Sequence, residues 1–305
     1  MKRLAVAFAI SLSLFLAASF FIRPVIKFIA KKQLERVFPG SRVALGKIFF
    51  SPLKQLAFFD IEIKSKNVYD LKIKEVKLSY NLFARDYSLE GKIDFLEGLG
   101  LRLENAAMKL NKGSAPGDLS IEKIQYDKVT IADIHSRLKF ERNTLILEAL
   151  IAKVFAGKAE GYIVLSLSET PAYTADLYFT NLNLERFISD FDLKERFLMT
   201  GGLSGGVSLK GKGGDLTSLD GSLSASSQGG TLTITDKGFL ENMARDQGQS
   251  LDLLVESFKN YHYNIGNIKL GMDQGDLILD VGLEGEVGKR DLQIIMHDVN
   301  LKGRF

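Results

Sequence analysis

Apolar and polar residues alternate along most of this chain, from about Ala57 to Leu301. The segments FDIEIK (59–64) and LILDVGLE (277–284) show the pattern near its two ends. Successive side chains of a strand point to opposite faces, so each such segment has one apolar and one polar face. Few segments have the helical spacing needed to cover the apolar faces. The pattern therefore predicts a sheet that closes into a barrel, stacks on another sheet or curls into an apolar trough.

The spacing of these segments predicts about seventeen strands, which indicates a mainly β fold. We expect an N-terminal transmembrane helix followed by a long, curled, antiparallel-type sheet, a β-groove, with two short helical interruptions. The polar, glycine-containing break at residues 112–118 suggests a boundary between two units. The predicted organisation is a membrane anchor with a juxtamembrane helix at 1–40, a first groove unit at 41–112 and a second at 113–305.

The two interruptions have helical rather than strand spacing. In residues 184–198, Leu184, Phe187, Ile188, Phe191 and Phe197 lie broadly on one side. Residues 237–260 contain two apolar groups at helical spacing, separated near Gly248. Short helices at these places could cap the end of an open sheet, where exposed backbone groups invite pairing with another chain.

The N-terminus carries the strongest local signal. Residues 4–22 contain no charge and, as a helix, would span about 28 Å, close to a bilayer's hydrocarbon thickness. A cleaved signal peptide and an uncleaved anchor both fit, and the length of the apolar segment favours the anchor. Beyond it, an apolar stripe beside a basic stripe suits a helix on a headgroup surface or a short packing helix. The apolar stripe is Val25, Ile26, Ile29, Leu34 and Val37, and the basic one is Lys27, Lys31, Lys32 and Arg36.

Composition and motifs argue against an enzyme. The 40 basic and 37 acidic residues are interspersed, which gives no nucleic-acid footprint, and cysteine is absent. The glycine-rich segment at 201–206 lacks the spacing of a phosphate-binding loop, and no G-x-S-x-G nucleophile elbow occurs. His135, His262 and His297 lack metal-ligand spacing. We therefore expect no catalytic residues, no metal and no cofactor.

Several segments are similar to the AsmA-like superfamily of bacterial envelope proteins, in its TamB/YdbH type. At the front these are the apolar N-terminal segment, QLERVFPG (33–40), RVALGKI (42–48) and FDIEI (59–63). In the middle they are FAGKAEG (155–161), residues 173–179, NLNL (181–184) and GLSGGV (202–207). Near the end they are GGTLTI (229–234) with the helix after it, and residues 261–283.

This resemblance implies an inner-membrane anchor, a periplasmic body built as a repeating β-groove, and a role in phospholipid transfer toward the outer membrane or in maintaining it. Arg23, Lys27, Lys31 and Lys32 argue against that orientation, because they outnumber Lys2 and Arg3 before the span. About seventeen stacked strands reach about 80 Å, which is short for a conduit between two membranes. The protein would then need an envelope partner, a homo-oligomer or a more local task.

In the groove hypothesis, apolar faces hold phospholipid acyl chains while headgroups stay in water. In the alternative, the same residues form an ordinary closed core, and the protein is a membrane-tethered scaffold or assembly factor for envelope proteins. An enzyme ranks behind both. The candidate lining residues are Phe59, Ile61, Ile63, Ile93, Phe95, Leu101, Leu103, Leu177, Phe179, Leu277, Leu279, Val281 and Leu283.

Overall fold

A computed structural model gives the architecture of the chain. It describes residues 23–36, 38, 40–51, 54–65, 69–81, 86–98, 101–112, 115–126, 128–141, 143–166, 170–191, 193–213 and 215–297. The chain forms two compact units, Met1–Ile124 and Gln125–Phe305. The sequence predicts a boundary between two groove units near residue 112, and that boundary stays a prediction.

Among its described residues, the first unit contains one helix and an antiparallel sheet. Helix α1 (residues 23–36) precedes a sheet with the order β1-β3-β4-β5-β6-β7, in which β2 also pairs with β3. Its strands are β1 (Arg42–Leu45), β2 (Ile48–Ser51), β3 (Gln55–Lys64), β4 (Tyr69–Asn81), β5 (Asp86–Gly98), β6 (Leu101–Asn111) and β7 (Gly117–Tyr126).

The second unit has a longer antiparallel sheet with the order β8-β9-β10-β11-β13-β14-β17-β18-β19. Its terminal strands, β8 and β19, are not neighbours, so the sheet of this unit is open among the described residues. The strands are β8 (Val129–Glu141), β9 (Thr144–Val154), β10 (Gly157–Ser166), β11 (Ala172–Asn183), β13 (Gly202–Lys212), β14 (Asp215–Ala225), β17 (Ile265–Asp273), β18 (Asp276–Gly285) and β19 (Gly288–Met296).

Three helices and a small sheet occupy the two long connections of the second unit. Helix α2 (Leu184–Asp190) and strand β12 (Phe197–Met199) lie between β11 and β13. Strand β15 (Gly230–Ile234), helices α3 (Lys237–Gln247) and α4 (Leu251–Ser257), and strand β16 (Tyr261–Tyr263) lie between β14 and β17. Strands β12, β15 and β16 form their own antiparallel sheet.

The helical predictions differ from the structure mainly in their ends. The helix predicted over 184–198 ends at Asp190, and its last residues form β12 instead. The segment 237–260 is two helices, as predicted, because Gly248 adopts the left-handed conformation that closes α3. No helix in the described ranges is long and apolar enough to cross a bilayer, and the predicted span at 4–22 lies outside those ranges.

Single residues in the left-handed conformation interrupt the alternation within strands. Asp60, Asn105, Asp133, Ala149 and Asn181 all have φ near +50° in the interior of strands. In β3, for example, Phe58 and Ile61 pack against the same apolar cluster, although strict alternation would place them on opposite faces. A period-2 pattern in the sequence therefore assigns faces correctly only on one side of each such residue.

Candidate apolar groove

One face of the second unit's sheet is apolar from strand to strand. Residues directly opposite each other in an antiparallel ladder point to the same face, so the pairing identifies rows of side chains. One row runs across five strands, from β9 to β14, through direct pairing of Leu147, Ile163, Ala175, Leu209 and Leu219. We call these five residues the open-end row.

The two ends of this face differ in their connections. At one end, here called the capped end, the chain leaves the sheet through residues 184–201 and 226–264, which contain the small sheet and the three helices that the structure describes in this unit. At the other, here called the open end, short connections join β8 to β9, β10 to β11, β13 to β14 and β17 to β18. Both long insertions therefore lie over the same end of the sheet.

The capped end is a closed core. Leu240 and Leu254 of α3 and α4 pack with Val281, Leu283 and Leu292 of the sheet, and all five are buried. The apolar face of β18 and β19 is therefore ordinary core at this end. Burying it stabilises the fold by about 25 cal/mol per Å² of apolar surface removed from water.

Two buried tyrosines of β16 hold the small sheet in place, Tyr261 through the large sheet and Tyr263 through the connection between β12 and β13. The hydroxyl of Tyr261 donates to the carbonyl oxygen of Gly288 at 2.5 Å, and that of Tyr263 donates to the carbonyl oxygen of Thr200 at 2.6 Å. Arg290 of β19 places its guanidinium 5.3 Å from the centre of the Tyr261 ring. Burial raises the pKa of Tyr263 to about 12, because the phenolate would lose its hydration.

Helix α2 covers the neighbouring strands. Asn183 caps it by accepting a hydrogen bond from the backbone nitrogen of Arg186 at 2.7 Å. Its buried Leu184 packs with Leu182, Leu203 and other residues of the sheet. Leu184 thus adds a side chain of the insertion to an apolar cluster that runs from β9 to β14.

The open-end row is covered less completely. Leu147, Ile163, Leu209 and Leu219 are only half-buried, although their neighbours along the row are aliphatic. Leu147, Ile163 and Leu209 do not belong to the clusters that contain the helices. Strand β18 shows the same gradient, because Leu283 is 1% exposed and Val281 8%, whereas Leu279 and Leu277 are half-buried.

The six predicted lining residues of the second unit all lie on this apolar face. Leu177 and Phe179 pair with Gly161 and Ala159, and Leu177 also pairs with Val207. Val281 and Leu283 belong to the capped core, and Leu279 and Phe179 pack against the two clusters that include helix residues. Leu277 lies farthest toward the open end. The structure thus distributes the predicted residues between core and open face.

Four of the seven predicted lining residues of the first unit fall into two contrasting environments. Ile61 and Ile63 are buried, and the cluster around them includes Ala30 and Leu34 of α1, so that this part of the face is closed. Phe95 lies on the opposite face, where the Lys72 ammonium is 5.2 Å from its ring centre. Phe59 is also on that face, since the ladder places it opposite Glu75.

The remaining three, Ile93, Leu101 and Leu103, follow the apolar face of β5 and β6. Ile93 is paired with Ile73, and Leu103 with Leu96, a residue that packs against the cluster around Ile63. Leu101 is on the same face, two residues before Leu103. All three are half-buried.

None of the five residues of the open-end row was among the lining residues predicted from the sequence. Leu147 and Ile163 lie in TLILEALIAKV and GKAEGYIVLS, whose apolar residues do not alternate cleanly. Knowing which strands are adjacent would have identified them, because the row is defined by cross-strand register. In the ranges that the structure describes, no group of three or more histidine, aspartate or glutamate side chains could hold a metal ion.

Comparison with known protein families gives one match. Residues 102–270, which include β6 to β16 and most of β17, match the AsmA family. No curated protein and no solved structure matches the chain. Since the matched segment covers more than half of the chain, the protein belongs to the AsmA family.

Proposed function

We propose that this protein is an envelope protein that holds phospholipid acyl chains against the apolar face of the second unit and helps lipid transfer toward, or homeostasis of, the outer membrane. Family membership supports the envelope context. The observation that carries the lipid proposal is the open-end row, in which the four large aliphatic side chains remain half-buried and only the small Ala175 is buried, while the other end of the same face is sealed.

An acyl chain outside a bilayer exposes its methylene groups to water. Burying a methylene is worth about 0.8 kcal/mol, so shielding even eight methylenes offsets about 6 kcal/mol of exposure. An open apolar strip provides part of this stabilisation and still allows the acyl chain to slide along it or to leave. The proposed role is non-catalytic, because the aliphatic row offers shielding and no reactive group.

The proposal includes a location. Residues 4–22 would anchor the chain in the inner membrane as a single pass, with the body in the periplasm of a Gram-negative-type bacterium. Helix α1, which follows, has a packed side and an apolar exposed side. Ala30 and Leu34 pack against the sheet of the first unit, whereas Val25, Phe28 and Ile29 are more than half exposed. The exposed side suits a membrane surface beside the anchor.

The experiment compares two variants that place glutamate on opposite faces of β10. Ile163→Glu puts a carboxylate in the open-end row, and Val164→Glu puts one on the polar face, next in sequence. The full chain is extracted in mild detergent, and phospholipid bound to it is measured by native mass spectrometry. We expect Ile163→Glu to lower the bound fraction about tenfold. Val164→Glu should leave it unchanged.

The outcome also separates the groove hypothesis from the scaffold alternative. The scaffold alternative is the one that the sealed capped end favours. If the open-end row were a closed core, Ile163→Glu would unfold the protein, and circular dichroism would show it. A folded Ile163→Glu protein that keeps its full phospholipid complement would refute the lipid proposal. So would a parent protein that carries no phospholipid.

A further inference from the structure

The polar face of the second unit, opposite the groove, contains a depression of about 520 Å³. Its floor is recessed because two small residues, Gly206 and Ser222, are directly opposite each other on β13 and β14. Tyr178 of β11 is next to Gly206 on one side, and Lys269 of β17 is next to Ser222 on the other. Small residues between two large ones thus produce the depression.

Two tyrosines form one wall. Tyr162 and Tyr178 are 44% and 55% exposed, so both rings are accessible to a ligand in the depression. The Asp176 carboxylate accepts hydrogen bonds from the hydroxyls of Tyr162 and Ser208, and these bonds hold the pKa of Asp176 below its usual value. Tyr162 is thereby fixed with its ring toward solvent.

Two charged groups at the other side of the depression have no partner. Asp220 and Lys269 are neighbours on the diagonal of the β14–β17 ladder, and in the described part of the chain neither side chain makes an ion pair or a hydrogen bond. By contrast, Glu160 at the rim is paired with Lys158. Asp220 and Lys269 therefore offer an unused acceptor and unused donors beside an aromatic wall.

We propose that this depression binds an uncharged saccharide. A sugar ring has a C–H face that packs on a tyrosine ring and hydroxyls that pair with Asp220, Lys269 and the serine hydroxyls of the floor. The volume lies in the range of small-ligand sites.

The charges argue against other ligand classes. An anionic ligand such as a phosphate would meet three carboxylates in the lining, those of Glu160, Asp176 and Asp220, and one cation there, Lys269. An acyl chain would desolvate the same carboxylates without replacing their hydrogen bonds. A neutral ligand rich in hydroxyls avoids both costs.

Two glycines of the polar face provide a matched test. A Cβ at Gly206 would meet nothing closer than a backbone oxygen 4.0 Å away, and one at Gly271 would meet nothing within 4 Å. Threonine also suits strands, so both Gly206→Thr and Gly271→Thr should fold. Gly206→Thr fills the floor of the depression, whereas Gly271 is outside its lining.

Binding is measured by equilibrium dialysis of the full chain in detergent with two probes, the linear trimer of N-acetylglucosamine and maltotriose. The two probes distinguish an N-acetylated amino sugar from an unmodified hexose. We expect one of them to bind the parent protein, Gly206→Thr to weaken that binding at least about tenfold, and Gly271→Thr to leave it unchanged. Tyr178→Ala should weaken it as well, through loss of the aromatic wall.

The inference is overturned if neither trisaccharide binds the parent protein, as expected of a face that contacts another protein instead. Equal binding by the parent protein and Gly206→Thr would also overturn it. Phospholipid content provides an independent readout, because Gly206→Thr changes only the polar face and should retain the parent's bound lipid. Failure of the saccharide inference therefore leaves the lipid proposal separately testable.

Discussion

The capped and open ends of the second unit share one apolar face but use it differently. At the capped end, Leu283 is 1% exposed and packs beneath residues of α3, α4 and β16. At the open end, Leu209 belongs to an aliphatic row of the same kind and remains half-buried. The difference comes from the connections, because both long insertions lie over one end. An alternating strand thus fixes which face is apolar, while the loops decide whether that face becomes core or surface.

The largest expected effect comes from placing a charge at each end. Leu283→Glu buries an unpaired carboxylate in the capped core and should lower the free energy of unfolding by about 4 kcal/mol or more. Leu209→Glu can turn its carboxylate toward solvent and should cost about 1 kcal/mol or less. Urea unfolding followed by circular dichroism measures both. Equal losses would mean that the open end is also a closed core, and the comparison would fail.

These two leucines also show how far the sequence alone could lead. Its alternation predicted a mainly β chain with the two helical interruptions, and it placed Leu283 on the apolar face together with Leu277. It could not separate the two environments, because burial of Leu283 depends on α3 and α4, whose docking is a tertiary property. The row that includes Ile163 and Leu209 depends on the register between neighbouring strands, and the alternation within one strand does not encode that register.

Alternation in the sequence is also insufficient to assign the faces of strand β3 in the first unit. Phe59 and Ile61 are two residues apart, so strict alternation puts both on one face. The left-handed conformation of Asp60, with φ of 55°, changes the phase, and Phe58 joins the cluster around Ile61 instead. Aspartate and asparagine tolerate this conformation better than most residues, yet many of them occur in the chain without adopting it. The shift is therefore visible only in the backbone.

An intermediate effect should come from pH at the capped end. Tyr263 has a pKa raised to about 12 by burial, against about 10 in the unfolded chain. Its contribution to stability is complete below pH 10 and is lost as the pH rises toward 12, since only the unfolded state ionises in that interval. We expect the parent protein to lose about 2 kcal/mol more than Tyr263→Phe between pH 9 and pH 12.

Urea unfolding across this pH range measures the loss for each protein. Tyr178→Phe removes an exposed hydroxyl from the polar face and serves as the matched control for the loss of a tyrosine hydroxyl. Identical pH profiles for the parent protein and Tyr263→Phe would show that the capped end admits water around Tyr263. The contrast with the open end would then be smaller than the geometry indicates.

The smallest effect concerns whether the insertions fold as one body with the sheet. Asn183 caps α2 through its side chain, and Asn183→Ala should cost about 1 kcal/mol. Ser250 occupies the equivalent position of α4 but makes no side-chain capping hydrogen bond, so Ser250→Ala should cost less than about 0.3 kcal/mol. If α2 and the sheet unfold together, the loss in Asn183→Ala will appear as a shift of the single urea transition. A separate early transition, with the main one unmoved, would instead mean that the cap opens independently, and the capped end could then expose its leucines to an acyl chain as the open end does.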